Sequence, residues 1–458
     1  MVAVRVLVEL MVGGQWVDIT RDVYVREDIS ISRGRADEGT EVDPGTCSLV
    51  LNNRSGTYSP RNPRSPYYGR IGRNTPIRVS VRHGDRLIPR FVGEVAAWPP
   101  RWDLSGNDVY TPIEAAGILR RLNASSSPLQ SSLVRFVLAA GPSAYWPLTD
   151  GADTQNAAPL LGGNIAYLNN RDGEITRPMQ WASFDLAPHL EPVATLPDKV
   201  PRGVFRGYIL PGHRPQWWAA EFIRGGVGGF DSFGMQLVGA GTASDPTRMW
   251  YLGFDHPTRT LFVSYFRADD SDARTTVLRQ NIAAPQVFED DTAHVFRLEC
   301  APNQGGTAWR VCVDGAQIAT GQLNEPARPP MRWFYDWFVP DDDMAAPASL
   351  GHVTVWDGTV SPDPDQILLA YHGHAAETAG QRIIRVCEET GLPVTVLGDP
   401  DDTQLVGAQQ MTSPLDVLSA AAAADGGILH EDRAEPRLVY RTNRSRYNGL
   451  QLSQEGET

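Results

Sequence analysis

A series of short strand-like segments fills the chain between residues 144 and 357: WWAAEFIRGG, FGMQLVGAG, RMWYLGFD, TLFVSYFRAD, HVFRLEC, WRVCVDGAQIATG and ASLGHVTVWDG. Gly, Asn and Asp punctuate them, and no helix-forming stretch lies between them. Successive strands without a crossover helix pair antiparallel. This block therefore predicts an antiparallel sandwich of jelly-roll type, and most of the 12 tryptophans of the chain fall within it.

The sequence on either side has a different texture. Residues 1–113 carry strands with turn punctuation, VAVRVLVEL, QWVDIT, VYVREDISISRG, TCSLVLNN, PIRVSVRHG and RLIPRFVGEVAAW, which predict a small β-barrel or sandwich. Helical patterns follow in IEAAGILRRLN and in SSLVRFVLAAG, the second stopped by Gly141 and Pro142. After the sandwich block, Pro362 and Pro364 suit a helix start, and Ile383, Ile384 and Cys387 form an apolar stripe that ends at Gly391 and Pro393. Ser413, Pro414 and Gly426 bracket a further helix, and the hairpin ILHED/RLVYRT follows. Mixed α+β texture on both sides of an all-β block reads as an insertion. The expected organisation is a barrel domain over 1–113, a helical connector over 114–142, an inserted sandwich over 143–372 and an α+β domain over 373–458.

Charge and cysteine content narrow the function. A net charge of −13 argues against a nucleic-acid partner, because neutralising phosphates requires a concentrated positive face. The N-terminal run has period two and is interrupted by Arg5 and Glu9, which marks a strand and not a secretion signal. No run approaches the roughly 18 apolar residues that span a bilayer, so stable membrane insertion is not expected. Cys47, Cys300, Cys312 and Cys387 lack metal-ligand spacing; three of them read as buried thiols, and for Cys300 and Cys312 on neighbouring strands a cross-strand disulfide stands as the alternative to reduced core cysteines.

The excursion RSGTYSPRNPRSPYYGRIGRNTP is too rich in Pro, Gly and Asn for a regular element. Either its own tyrosines pack it as an ordered loop, or it is a contact arm to a neighbouring subunit. Together with its flanking strands it resembles the first domain of minor tail proteins of actinobacterial siphophages and prophages. The segment LDVLSAAAAADGGILHEDRAEPRLVYRTNRSRYN resembles their later domain. The resemblance implies hub-type β-barrel or split-barrel domains at the distal end of a phage tail in a virion, assembled as a homotrimer with distal tail and other tail-tip proteins as partners. Arg54, Tyr58, Arg61, Arg64, Tyr67, Tyr68, Arg70 and Arg73 would then make subunit contacts. The middle block opens AYWPLTDG and closes LGHVTVWDGTVSPDPDQ, and it resembles laminin-G or concanavalin-like jelly rolls.

Ligand chemistry in the sandwich is expected from exposed aromatic rings, on which a sugar stacks its C–H face. Trp217 and Trp218 form one cluster and Trp333, Phe334, Tyr335, Trp337 and Phe338 another; Trp217, Trp218, Trp333, Tyr335 and Trp337 are the candidate contacts, with a host cell-wall glycan as the expected ligand. Adjacent aromatic residues on a strand face opposite ways, so part of each cluster is packing. Asp341, Asp342 and Asp343 offer hard oxygen ligands for Ca²⁺, or else form a solvated acidic loop. Glycosidase chemistry needs two carboxylates across the scissile bond. Glu221 stands alone on its strand and Asp255 ends another, and no serine-hydrolase elbow, phosphate loop or zinc-protease helix is present. The expectation is a structural tail-tip protein without catalysis. A carbohydrate-active enzyme with a lectin-like domain, or the hub of a tail-derived contractile injection system, are the alternatives.

Overall fold

The computed structural model describes residues 5–34, 43–124, 128–169, 179–197, 202–226, 230–268, 274–288, 292–338 and 348–447. The chain forms two compact units. The first unites residues 1–129, 376–407 and 412–458, and the second comprises 130–375 with 408–411. The first unit is therefore assembled from sequence on both sides of the second.

In the first unit the alternation of Cys47, Leu49 and Leu51 with polar neighbours gives the strand Asp43–Asn52 one buried face. It joins an eight-stranded antiparallel sheet in the order Gln15–Asp18, Arg5–Val12, Thr75–His83, Arg86–Val95, Val109–Ala116, Asp43–Asn52, Ser30–Gly34, with Arg101–Trp102 pairing on Val109–Ala116. The segment after Asp18 links strands from opposite halves of this sheet. The Ile19 N–H donates to the Val8 carbonyl, the Tyr24 N–H donates to the Val50 carbonyl, and Val23 bridges Leu51. The sheet thus curls in barrel fashion around Val8, Leu10, Leu49, Leu51, Ile77, Val79 and Ile113.

The rest of this unit packs the helices Leu119–Ala124, Ala379–Glu389 and Pro414–Asp425 with a small sheet of Val394–Leu397, Leu438–Arg441 and Ile428–Glu431. Leu119 and Leu122, which precede the insertion, share one core with Ile383, Val386, Leu418 and Tyr440, which follow it. Ser413 caps its helix by accepting from the Asp416 N–H, and Gly426 ends it at φ 68°. A polar clasp crosses the same boundary. The Glu431 carboxylate accepts from the Gly45 N–H and the Leu119 N–H, both at 2.7 Å. Gly117 and Gly45 lie so close to that carboxylate that a Cβ on either would collide with it.

The second unit is a sandwich of two antiparallel sheets. One has seven strands in the order Tyr167–Asn169, Arg202–Tyr208, Pro330–Phe338, Phe230–Leu237, Thr247–Asp255, Thr260–Ala268, Arg274–Ile282. The other has the order Gln180–Phe184, Val193–Thr195, Ser349–Asp357, Trp218–Gly225, His294–Asn303, Gly306–Val313, Ala316–Leu323, with Ala144–Trp146 pairing on Ser349–Asp357. Between them Phe222 stacks on Phe233 with centroids 4.2 Å apart, and Trp250 meets Trp309 at 6.4 Å. The mainly β class and the antiparallel sandwich agree with the sequence. AYW is the sandwich's first strand, and it pairs with the last, Trp146 opposite Val353 and Ala144 opposite Val355.

Several expectations are revised. IEAA ends the strand Val109–Ala116, and the helix begins only at Leu119. The connector 114–142 divides: Leu119–Ala124 packs in the first unit, whereas Ser132–Ala140 belongs to the second, whose main segment runs from Gln130 to Ala375. Residues 1–113 and most of 373–458 contribute to one unit, whereas 373–375 and 408–411 fall in the second. All four cysteines are buried and free. Cys300 stands opposite Trp309 and Cys312 opposite Arg297, so the two thiols lie on different faces of their sheet and cannot bond.

Gly117→Ala should destabilise the first unit by about 1–3 kcal/mol, because the added methyl must displace the Glu431 carboxylate. Gly407→Ala, where a Cβ meets open space, should be near neutral. Urea unfolding followed by far-UV circular dichroism compares the two; equal midpoints would refute the clasp.

Candidate functional site

The strand Pro330–Phe338 turns Trp333, Tyr335 and Trp337 toward the interior, where they are 0, 0 and 5% exposed. Trp333 packs against Phe205 and Trp146, and the Tyr335 hydroxyl accepts from Arg224 Nε at 3.1 Å beside the buried Arg224–Asp231 ion pair. Trp218 is fully buried as well. These four aromatic residues fill the core and present no ring to a ligand, contrary to the expectation for them. Period two on a doubly packed strand sends one parity inward. Trp217 alone of the five is exposed, at 41%. Asp341, Asp342 and Asp343 lie outside the described residues, and among the described residues no group of three or more His, Cys, Asp or Glu side chains could hold a metal ion.

The two sheets differ in what covers their outer faces. On the eight-stranded sheet the helices Ser132–Ala140 and Pro364–Tyr371 bury Ala219, Ile223, Val295 and Trp356. On the seven-stranded sheet the outer cluster, Met249, Tyr251, Ala268 and Phe334 with Val204 and Phe266, consists of strand residues only, among those described. Tyr251 meets Phe334 at 5.1 Å and Phe266 at 5.3 Å, edge to face. Gly234 stands opposite both Tyr251 and Phe334 in the register, and a Cβ there would strike the Phe334 ring.

Polar groups rim this aromatic floor. The Arg206 guanidinium lies 5.1 Å from the Tyr167 ring, and Arg332 Nη1 donates to the Tyr208 hydroxyl at 2.9 Å. Burial raises the Tyr208 pKa, but the charge and hydrogen bond of Arg332, the charge of Arg206 and a hydrogen bond with Tyr167 outweigh it and leave the phenol below its ordinary value. Gln236 and Arg332 are register partners. Among the described residues, Gln236 Oε1, Arg332 Nε and Ser264 Oγ are buried without a hydrogen-bond partner. An unmet acceptor beside an unmet donor costs folding free energy and suits a ligand whose hydroxyls both donate and accept. Of this face the sequence singled out Phe334 alone, as a member of the second aromatic cluster. The face's signal is the outward parity of the same strands, Arg206 and Tyr208, Arg332 and Phe334, Met249 and Tyr251.

The excursion in the first unit is a chain of turns with period three. The N–H groups of Gly56, Ser59, Asn62, Ser65 and Tyr68 donate in succession to the carbonyls of Asn53, Gly56, Ser59, Asn62 and Ser65. Tyr58 is 1% exposed, donates to Asp22 Oδ2 at 2.6 Å and stacks on Trp98, with Tyr67 against its edge. Tyr58 therefore belongs to the barrel core and is withdrawn from the subunit-contact set, and Tyr67 is half-buried beside it. Arg54 is exposed and pairs with Asp108 at 2.9 Å. Arg61, Arg64, Tyr68, Arg70 and Arg73 are exposed.

Glu221 lies beneath the chain leading into the helix Pro364–Tyr371. Its carboxylate accepts from Trp356 Nε1 at 2.9 Å and pairs with Arg297, which also holds the Pro362 carbonyl and the Ser361 hydroxyl. Burial pushes the Glu221 carboxyl up to about 7, against the pull of Arg297.

No protein family matches the chain, and no curated protein does. Among solved structures, the botulinum neurotoxin serotype D binding domain is similar at 7% identity and a TM-score of 0.33, covering 52% of this chain and 53% of that one. A legume lectin-like domain from Entamoeba histolytica gives 10% identity and 0.26, covering 34% of this chain and 78% of that one. The CBM2 module of the evolved Dit of Lactobacillus casei BL23 phage J-1 gives 11% and 0.30, covering 46% and 96%. The chain thus spans about half the length of the toxin domain.

Because the folded-state Glu221 value lies above the ordinary 4.5, the unfolded chain loses that proton first. Stability of the sandwich should therefore fall as pH rises from about 4.5 to about 7 and level off above. Glu221→Gln should flatten that slope in thermal unfolding; an unchanged slope would assign it to other groups.

Proposed function

We propose that the chain is a structural component of a phage tail tip, whose inserted sandwich offers the outer face of its seven-stranded sheet to a polyhydroxylated host-surface ligand of the cell-wall glycan class. The carrying observation is the composition of the first unit. The two segments that resemble minor tail proteins, 46–81 and 415–448, lie on either side of the sandwich in sequence yet belong to one unit, joined by the Glu431 clasp. The sandwich is an addition to that scaffold. Tyr251 and Phe334 are themselves only 8 and 6% exposed, so the binding role rests on the arginine–tyrosine rim above them and on the unmet Gln236–Arg332 pair. The exposed Arg61, Arg64, Tyr68, Arg70 and Arg73 are the subunit contacts of this reading, in a homotrimeric ring that closes by heterologous interfaces.

Two measurements test it. Antibody-gold labelling of intact particles should mark the distal end of the tail; label confined to the head or absent from particles would overturn the tail assignment. The full chain should co-sediment with purified host cell walls, and Gln236→Ala with Arg332→Ala should weaken that binding by about tenfold or more, the loss expected for charge-assisted hydrogen bonds. Undiminished binding by the double variant would remove the sheet face from the proposal.

A further inference from the structure

The first unit contains a cleft of about 290 Å³ lined by Arg33, Arg90, His430, Glu431 and Arg433 over an apolar floor that includes Phe91 and Ile428. Two irregularities of the sheet put arginines there. Val79 pairs with Phe91 and Ser80 with Pro89, so Arg90 is the extra residue of a bulge. Ser32 pairs with Thr46 and Gly34 with Asp43, so Arg33 stands opposite a second bulge at Pro44–Gly45. Bulges break the ladder and re-aim side chains. The freed Arg90 carbonyl accepts from Arg33 Nη1 at 2.7 Å. The third arginine sits on the turn between Ile428–Glu431 and Leu438–Arg441. Asp432 ties that turn down by accepting from the Ala434 and Glu435 N–H groups and from Arg437 Nε.

The carboxylates of the cleft are already engaged. Glu431 serves the Gly45 and Leu119 N–H groups, and Asp432 serves its own turn and Arg437. Among the described residues none forms an ion pair with Arg33, Arg90 or Arg433. Burial, and after it the positive charges of Arg433 and Arg90, lower the pKa of Arg33, as expected for like charges facing one cavity. His430 adds an imidazole whose Nδ1–H donates to the Glu431 carbonyl at 3.1 Å, which leaves Nε2 for other partners.

We infer that this cleft is a binding site for a phosphate group, either free phosphate or the phosphate of an ester, gripped by the guanidinium forks of Arg33, Arg90 and Arg433. Guanidinium forks match the oxygens of such an anion bidentately, and an anion relieves the repulsion among the three. The site lies in the scaffold and does not depend on the sandwich face.

The full chain is titrated calorimetrically with inorganic phosphate in a chloride buffer, and then with glycerol phosphate. Saturable binding to one site per chain is expected, weakened at least about tenfold in Arg33→Gln and in Arg90→Gln. All three side chains are exposed, so these variants should keep the wild-type melting temperature without phosphate, which separates a lost site from a lost fold. Arg61→Gln, on the excursion, should bind as wild type. Glycerol phosphate binding as well as phosphate supports an esterified ligand, and preference for phosphate supports the free anion. No saturable heat at millimolar phosphate, or equal affinity in the Arg33 and Arg90 variants, overturns the site.

Discussion

Glu431 accepts hydrogen bonds from two backbone N–H groups that lie 312 and 386 residues away in sequence, and the scaffold's continuity rests on that contact. Burial alone lifts its pKa, and the two N–H bonds pull the other way by favouring the charged form. Removing the carboxylate would take from both amides the acceptor it supplies, which is why so few atoms matter so much. Glycine at 45 and 117 is the matching requirement on the opposite side of the clasp. The chain before the insertion and the chain after it also share an apolar core, so the clasp sets register where burial supplies most of the stability.

The insertion is closed in its own way. Its first and last strands are paired neighbours, and the helices Ser132–Ala140 and Pro364–Tyr371, next to its two ends, cover the same sheet face. Loop-closure entropy grows only slowly with length, so a long insertion whose ends meet costs a scaffold little more than a short one. Among the described residues this leaves the sandwich one sheet face without a helical cover, and that face carries the arginine–tyrosine rim and the unmet polar atoms. Covering, not sequence conspicuousness, separates the face proposed for binding from the one packed under helices.

That distinction explains what was legible in the sequence. Strand texture, the caps at Ser413 and Gly426 and the stop at Gly141 are local signals, and each appears where its chemistry placed it. The paired AYW and VTVW bookends were legible for the same reason. Trp333, Tyr335 and Trp337 attracted attention as the largest rings, yet parity alone sends them inward, and only knowledge of the facing sheet says which parity is interior. Tyr58 misled likewise: Asp22 and Trp98, its partners, lie 36 and 40 residues away. Bulges at Arg90 and at Pro44–Gly45 are products of strand pairing, so the arginine cleft has no contiguous signature.

Hydrogen exchange followed by mass spectrometry, on the wild-type chain and on Glu431→Gln, tests the clasp most directly. The account predicts that Gly45, Leu119 and the hairpin Ile428–Arg441 lose protection together while the strands of the sandwich exchange as in wild type. Loss confined to the two bonded amides, or loss spreading equally through the sandwich, would contradict it.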